Sequence, residues 1–430
     1  MTAAAGEPLR GRLIVCVASC WNYDPTSKHQ IMKRLARHND VLWINYRGTR
    51  RPALNGQDLR GIAGTLRRFA RGLEEVDSGV RQLTPLVIPG AAGAWLGAVQ
   101  RRLLIAQVQR ALERTRQHPA QPVQIWCFAP DVPYLAGALG EEVFVYYCVD
   151  EFAKFDGVNS EYVRRLERRT LEVADVVIAS SAQLAQTRGR VRRDVHLVRH
   201  GVEFDHFARA WREDGPRPGD LPHNGRPTLG FFGLVHHWVD VDLLADLARL
   251  RPEYNVVVIG DCKVDVSALQ ARPNVFLLGR KPYSTLPDYC RWFDAALLPF
   301  VCGPATHEIN PIKLREYLAA GLRTIATPLP EALRYRGVVR FTDPRDGLAG
   351  AERFARLCDS VVACASTDPQ QARASRQRIA QTVASETWEG VVDRLTAIVC
   401  GERVSRAACA AARSLTPARP LSAPPVARTA

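Results

Sequence analysis

The sequence predicts an α/β protein built of two Rossmann-like, doubly wound domains that face each other across a cleft. Three observations point to this. Short apolar strands alternate with helical stretches through the first half. A stretch rich in Pro, Gly and charge, 206–227, then interrupts the alternation and reads as a linker. A second series of strands and helices starts at 228. At 430 residues the chain is long enough for two domains, each with its own core. An apolar fraction of 47% and a charged fraction of 24% are those of a water-soluble globular protein.

The strands follow in order. LIVCVAS (13–19) opens the chain, and the helix HQIMKRLARH (29–38) after it puts Ile31, Met32 and Leu35 on one face. VLWIN (41–45), QIWCFAP (124–130), VFVYYCVDE (143–151), DVVIASS (175–181) and DVHLVRHGV (194–202) complete a first domain over 1–205. The second domain, 228–384, holds TLGFFG (228–233), VVVIGD (256–261), VFLLGR (275–280), AALLPF (295–300) and TIATP (324–328). Its first helix, VDLLADLARL, carries Val241, Leu244, Leu247 and Ala248 at helical spacing. From 401 to 430 the chain is Ala, Arg, Pro and Ser with little periodicity, which predicts a disordered tail. Ligands of open parallel sheets sit beyond the carboxyl ends of the strands, which singles out 21–23, 130–131, 148–151, 180–181 and 200–201.

Composition narrows the function classes. The formal charge of +14 calls for an anionic partner. No basic stripe interleaved with aromatics, zinc finger or single-strand signature is present, which argues against nucleic acid. The eleven cysteines are scattered, with no C-x2-C pair, as expected of a reducing cytosol without disulfides or zinc. MTAAAGEPLRGR lacks the apolar core of a signal peptide, and no apolar run is long enough to span a membrane. The expected location is cytoplasmic. The segment 95–117 is an amphipathic helix bearing Arg101, Arg102, Arg110, Arg114 and Arg116 against Glu113 alone. It either packs on the core with a basic solvent face or lies on an anionic membrane surface, which would make the protein peripheral at an inner membrane.

The most informative stretch is HEINPIKLREYLAAG (307–321). Asn310 reads as an N-cap, Pro311 as the first helical residue and Gly321 as the stop. Lys313 falls in the first turn, where a cation is unfavourable unless an anion docks on the free amides. Glu308 and Glu316 are separated by seven residues and flank that helix end. With its flanks, the stretch resembles the E-x7-E donor motif of retaining glycosyltransferases of the GT-B fold, in particular the group 1, family 4-like bacterial members that build surface polysaccharides and glycolipids. VYYCVDEF (145–152), LERRTLEVADVVIASS (166–181), HGVEFDHF (200–207) and SETWEGVVDRL (385–395) extend the resemblance over most of 12–400, with His200 in place of the common asparagine.

The resemblance implies a transferase that takes a nucleotide-diphosphate sugar as substrate, without cofactor or metal, and passes the sugar to a glycan or lipid-linked acceptor. It implies that Glu316 accepts the ribose hydroxyls and Glu308 those of the transferred sugar, with Asn310, Pro311, Ile312 and Lys313 at the phosphates. It also implies that the helix around 385–400 crosses back to the first domain. Relatives add an Arg and a Lys after the first strand of the second domain, but this chain has Gly233-Leu234-Val235-His236-His237. His236 and His237 are either substitute phosphate donors or structural. Arg280 and Tyr283 stand where relatives hold the base, Tyr283 alternatively as a packing residue; Gly303 and Thr306 would line the approach loop. On the acceptor side, Asp150 is the candidate to orient or deprotonate the hydroxyl, or else a helix cap. Lys28 and His29, with Asn22 before them, are candidates for the same cleft or structural residues. D-V-D at 240–242 opens a helix, where the dipole alone favours acids, and is not read as a metal site. The alternatives are a degenerate GT-B protein that binds nucleotide-sugar or a partner without turnover, and a GT-B-shaped nucleotide-sugar epimerase.

Overall fold

The computed structural model describes residues 9–22, 25–46, 64, 67–87, 94–155, 157–304, 306–343, 349–364 and 368–414. The first sheet has eight strands: β1 (Leu13–Ala18), β2 (Asp40–Asn45), β3 (Leu73–Asp77), β4 (Val80–Leu83), β5 (Val123–Cys127), β6 (Val143–Cys148), β7 (Val176–Ala179) and β8 (Val195–Leu197). Their spatial order is β3-β4-β2-β1-β5-β6-β7-β8, and all pair in parallel except the edge strand β3. The second sheet has six strands: β9 (Thr228–Phe232), β10 (Asn255–Ile259), β11 (Val275–Gly279), β12 (Ala295–Leu298), β13 (Thr324–Ala326) and β14 (Val339–Phe341). Its order is β11-β10-β9-β12-β13-β14, parallel throughout.

Helices cover both faces of each sheet, so the central strands are continuous apolar runs without polar alternation. VFVYYC in β6 is buried at every position. One face of the first sheet receives Leu104, Val108, Ala111 and Leu112 from the helix Ala94–Thr115. Arg101, Arg102, Arg110 and Arg114 stay exposed on its other side. The opposite face receives Ile31, Met32 and Leu35 from the helix Ser27–Leu35, together with Trp388, Val391, Leu395 and Val399 from the final helix. A segment that follows the second sheet in sequence therefore completes the first core. The final helix runs Trp388–Ser414, past the point where the sequence predicts a tail. The reason is local: GERVSRAACAAARS is rich in the strongest helix formers, Ala, Arg and Glu. Residues 415–430 lie outside the described residues. Among the described residues no helix is long and apolar enough to cross a membrane.

The stretch 206–227, expected as a linker, is only partly one. The helix Phe204–Arg212 occupies its first portion, and Phe207, Ala208 and Ala210 are buried. Phe207, Ala210 and Leu221 join the second core, and Trp211 Nε1 donates to the Ala319 carbonyl at 3.0 Å. The apolar residues of FDHFARAW recur at helical spacing, and this outweighs the turn-rich residues after them. The strands β3, β4 and β14 are missing from the sequence reading because LEEVD, VRQL and VRF are short and charged; β3 and β14 are edge strands, where this is common.

The chain passes from one core to the other within a few residues, since Val198 belongs to the first and Val202 to the second. There Val202 N–H donates to the Glu386 carbonyl at 2.8 Å, and Val202 bridges Thr387 in parallel. Between them lies Gly201, where an added Cβ would stand 2.7 Å from Trp388 N and 2.8 Å from Thr387 C. The two crossing segments thus touch backbone to backbone. Gly201→Ala is expected to lower unfolding free energy by about 1–3 kcal/mol, the usual cost of overpacking; denaturant titration measures it.

Candidate functional site

Each sheet has a point where its strand order reverses, between β1 and β5 in the first and between β9 and β12 in the second. Crevices form beyond the carboxyl ends of strands at such points. In the second sheet, β9 leads into Gly233 (φ 128°) and β10 into Gly260 (φ 141°). A Cβ on Gly260 would lie 2.1 Å from the Gly233 oxygen, so this floor is bare backbone. A Cβ on Gly233 would strike the Lys313 side chain, 2.5 Å from Cε and 2.6 Å from Nζ. Lys313 lies across that floor with its ammonium over the Phe231 and Phe300 rings, 5.4 and 5.3 Å from their centres.

Lys313 belongs to the helix Ile312–Ala319, which ends at Gly321 with φ 69°, the left-handed stop the sequence predicts. Its start differs from expectation. Pro311 is the N-cap, extended at φ −71° and ψ 112°, and no side chain caps the helix. Asn310 does other work: its amide donates to the Ser180 carbonyl of the first domain at 2.6 Å and accepts from Arg315 Nη1 at 2.7 Å. The buried guanidinium needs an acceptor, and this demand takes the Asn310 oxygen away from the helix amides. Ile312 packs against the core of the first domain, a contact between domains.

Three residues after Lys313, on the same face, Glu316 is 8% exposed. Burial pushes its carboxyl up to about 7, with Lys313 pulling the other way. Burial brings Lys313 down to about 8, Glu316 opposing. The Tyr283 hydroxyl donates to Glu316 at 3.3 Å. Its ring stacks on His206 at 4.9 Å, so the expected base-holding tyrosine is also a ligand of the carboxylate. Burial, then the nearby Glu316 and Glu203, pushes the Tyr283 phenol upward. Glu203 in turn accepts from Gln30 of the first domain at 2.8 Å.

Glu308 is 7% exposed and faces the first domain, where Lys154 Nζ lies 2.8 Å from both its oxygens and also meets the Pro304 carbonyl. Thr306 is buried and turns inward: its hydroxyl donates to the Val301 and Gly303 carbonyls and accepts from Gly303 N–H. It shapes the loop and does not line the approach. His236 and His237 pair with each other, Nδ1 to Nδ1 at 2.6 Å, and His236 stacks on Trp238 at 4.6 Å. Arg280 is exposed just past β11. Asp240 of the D-V-D caps the helix Val241–Leu250, accepting from Leu243 N–H at 2.9 Å.

In the first domain, Lys28 Nζ donates to Ser19 Oγ at 3.2 Å, just beyond β1. Burial lowers the Lys28 ammonium, Asp150 counteracting, and raises Asp150 to about 6, Lys28 counteracting. Asp150 does not cap the following turn, Phe152–Lys154, whose cap position is Glu151. His29 does not reach the cleft. It packs against Trp21 and Trp43 at 5.0 and 4.9 Å, the two indoles touching each other edge-on at 4.9 Å, with Nε2 bonded to the Trp21 carbonyl and Nδ1 accepting from Thr26 N–H. Two indoles bury it better than a polar cleft would, and burial brings it down to about 4. Asn22 is exposed; Tyr23 lies outside the described residues. Lys154, Arg315 and Glu203 are missing from the sequence reading, because their partners are 154, 71 and 173 residues away in the chain.

No protein-family model matches the chain. It is 27% identical over 224 residues to a Bacillus subtilis (strain 168) protein named "Putative teichuronic acid biosynthesis glycosyltransferase TuaH", a match covering 48% of this chain and 55% of that one. The chain thus spans about half the length of that relative. Among solved structures, Anabaena Alr3699/HepE in complex with UDP and glucose superposes with a TM-score of 0.61 at 14% identity, over 91% of this chain and 100% of that one. The α,α-trehalose 6-phosphate synthase of Burkholderia multivorans gives 0.61 at 13% identity, over 93% and 100%. Sucrose-phosphate synthase from Thermosynechococcus elongatus gives 0.59 at 16%, over 93% and 100%. With two largely parallel, doubly wound sheets and these likenesses along nearly its whole length, the chain has the GT-B fold.

Proposed function

We propose that the chain is a glycosyltransferase that moves a sugar from a nucleoside-diphosphate donor to a glycan or lipid-linked acceptor. One observation carries this reading: Lys313 and Glu316 lie on one helical face, above a glycine floor, at the reversal point of the second sheet. An ammonium and first-turn amides suit a diphosphate, and a carboxylate one turn on suits the hydroxyls of the attached ribose. Glu308 takes hydroxyls of the sugar, and Arg280 with Tyr283 borders the base. His236 and His237 stand at the phosphate end of the same floor. Asp150, with Lys28 and Asn22 on its side, receives the acceptor. The pairing of a raised carboxyl with a nearby ammonium suits a general base working near neutrality.

The likeness to TuaH supports an acceptor in surface-polysaccharide assembly, and the UDP-bound neighbours support a nucleotide donor. Retention without a metal ion is the outcome of the family whose motif the chain resembles. The exposed arginines of the helix Ala94–Thr115, with Leu103 46% exposed beside them, support a peripheral seat on an anionic cytoplasmic membrane face.

A panel of UDP-, GDP- and ADP-sugars separates the readings: transfer or hydrolysis marks a transferase, isomerisation an epimerase, and a thermal shift without turnover a degenerate binder. Glu316→Ala and Glu316→Gln are expected to weaken nucleotide binding at least about tenfold, or 1.4 kcal/mol, in calorimetry. Unchanged affinity in either folded variant refutes the assignment. Asp150→Asn is expected to lower kcat by about 100-fold or more while nucleotide affinity holds; a matching loss of affinity would remove Asp150 from the chemistry.

The site also predicts a pH profile. Below about 7 Glu316 takes up a proton and ceases to be a full acceptor; above about 8 Lys313 loses the charge that faces the phosphates. Nucleotide affinity should therefore peak between these values and fall on both sides. Glu316→Gln should flatten the acid limb and, by removing the carboxylate that opposes the fall of Lys313, move the alkaline limb to lower pH.

A further inference from the structure

Lys154 belongs to the first domain, in the turn Phe152–Lys154 that follows β6, and it is the residue of that turn that reaches the second domain. The turn is anchored from behind. Arg188 holds Glu151 at 2.6 Å, Ser160 Oγ donates to the Ala153 carbonyl at 2.6 Å, and Ala153 is 1% exposed. From this fixed base the ammonium sits astride Glu308, 2.8 Å from each oxygen. Its third partner, the Pro304 carbonyl, lies in the same loop of the second domain. Asn310, at the end of that loop, is bonded to Ser180 of the first domain. The loop bearing Glu308 therefore takes its position from the first domain as much as from its own.

A carboxylate has about four lone-pair directions, two on each oxygen. Lys154 uses one on each, which leaves the others for hydroxyl donors and fixes where they point. It also offsets the charge of a side chain that is only 9% exposed. Asp150 stands four residues before Lys154, just ahead of that turn, so the contact links the segment of the candidate base to the carboxylate facing the transferred sugar.

We propose that Lys154 is a positioning residue of the donor-sugar subsite. Acting through Glu308, it aims the carboxylate at the sugar hydroxyls, so that the first domain selects the sugar while the second holds the nucleotide. This rests on the donor reading above.

The test is calorimetric titration of UDP, GDP and ADP, and of their glucose, galactose, mannose and N-acetylglucosamine conjugates, into wild type, Lys154→Met and Lys154→Arg. For the nucleotide that binds, the preference for its best sugar conjugate over the bare nucleotide should fall at least tenfold in Lys154→Met. Lys154→Arg should bring it back within threefold, and bare-nucleotide affinity should move less than twofold in both. An unmoved preference in Lys154→Met overturns the proposal and leaves the donor reading standing. An equal loss for bare nucleotide and conjugate overturns it too, by making the residue a general brace. If wild type binds no nucleotide at all, the donor reading falls and takes this one with it. Should Lys154→Met fail to fold by circular dichroism, Lys154→Gln carries the same comparison.

Discussion

The arrangement depends on one buried cation. Arg315 is 1% exposed, and its guanidinium is held there by an opposite charge and by hydrogen bonds on two of its three nitrogens, Nη2 having no hydrogen-bond partner among the described residues. Nε donates to Glu386 and Nη1 to Asn310, both at 2.7 Å, and the plane lies 5.6 Å over Tyr335. The Tyr335 hydroxyl completes the cluster by donating to Glu386 at 2.6 Å. Glu386 sits where the chain returns to the first domain, and its carbonyl accepts from Val202 where the chain leaves it. Through this one side chain, the helix that presents Lys313 and Glu316 is registered against both crossings. The neighbouring residues of the helix are thereby aimed into the cleft, and Asn310 is drawn from a cap into a link between domains.

The reversal points of the two sheets hold the same kind of pair. Glu316 with Lys313, and Asp150 with Lys28, are each a carboxylate raised by burial next to an amine lowered by burial. In both pairs desolvation outweighs the partner's attraction, so each group titrates closer to neutrality than it would in water. Pairs of this kind cost stability, and they persist where a ligand or a proton transfer makes use of them. Lys313 lies over the end of β9 and Lys28 beside that of β1, while their carboxylates come from neighbouring elements, Glu316 from the helix Ile312–Ala319 and Asp150 from just after β6.

Much of this was legible in the residues because central parallel strands are unbroken apolar runs; VFVYYC and TLGFF cannot be mistaken for loops. The stretch 307–321 was readable as a loop leading into a helix because its proline and its glycine stop are local features. What escaped was decided over long separations. Asn310 has the composition of a cap and acts as a bridge, because Ser180 and Arg315 compete for it. His29, readable from sequence as a cleft residue or a structural one, is structural, packed against two indoles contributed by other segments. The helix Phe204–Arg212 hid inside a turn-rich stretch, and the final helix outran its expected end because alanine runs carry no amphipathic rhythm.

The contact between Gly233 and Gly260 has a consequence for how such a protein can diversify. Where main chain meets main chain, no side chain is present to exchange, and any added methyl would collide with an oxygen or with Lys313. That part of the crevice is closed to stepwise tinkering. New ligand preferences must come from its rim, the loops 279–283 and 301–308 and the turn 150–154, while the base beneath stays constant.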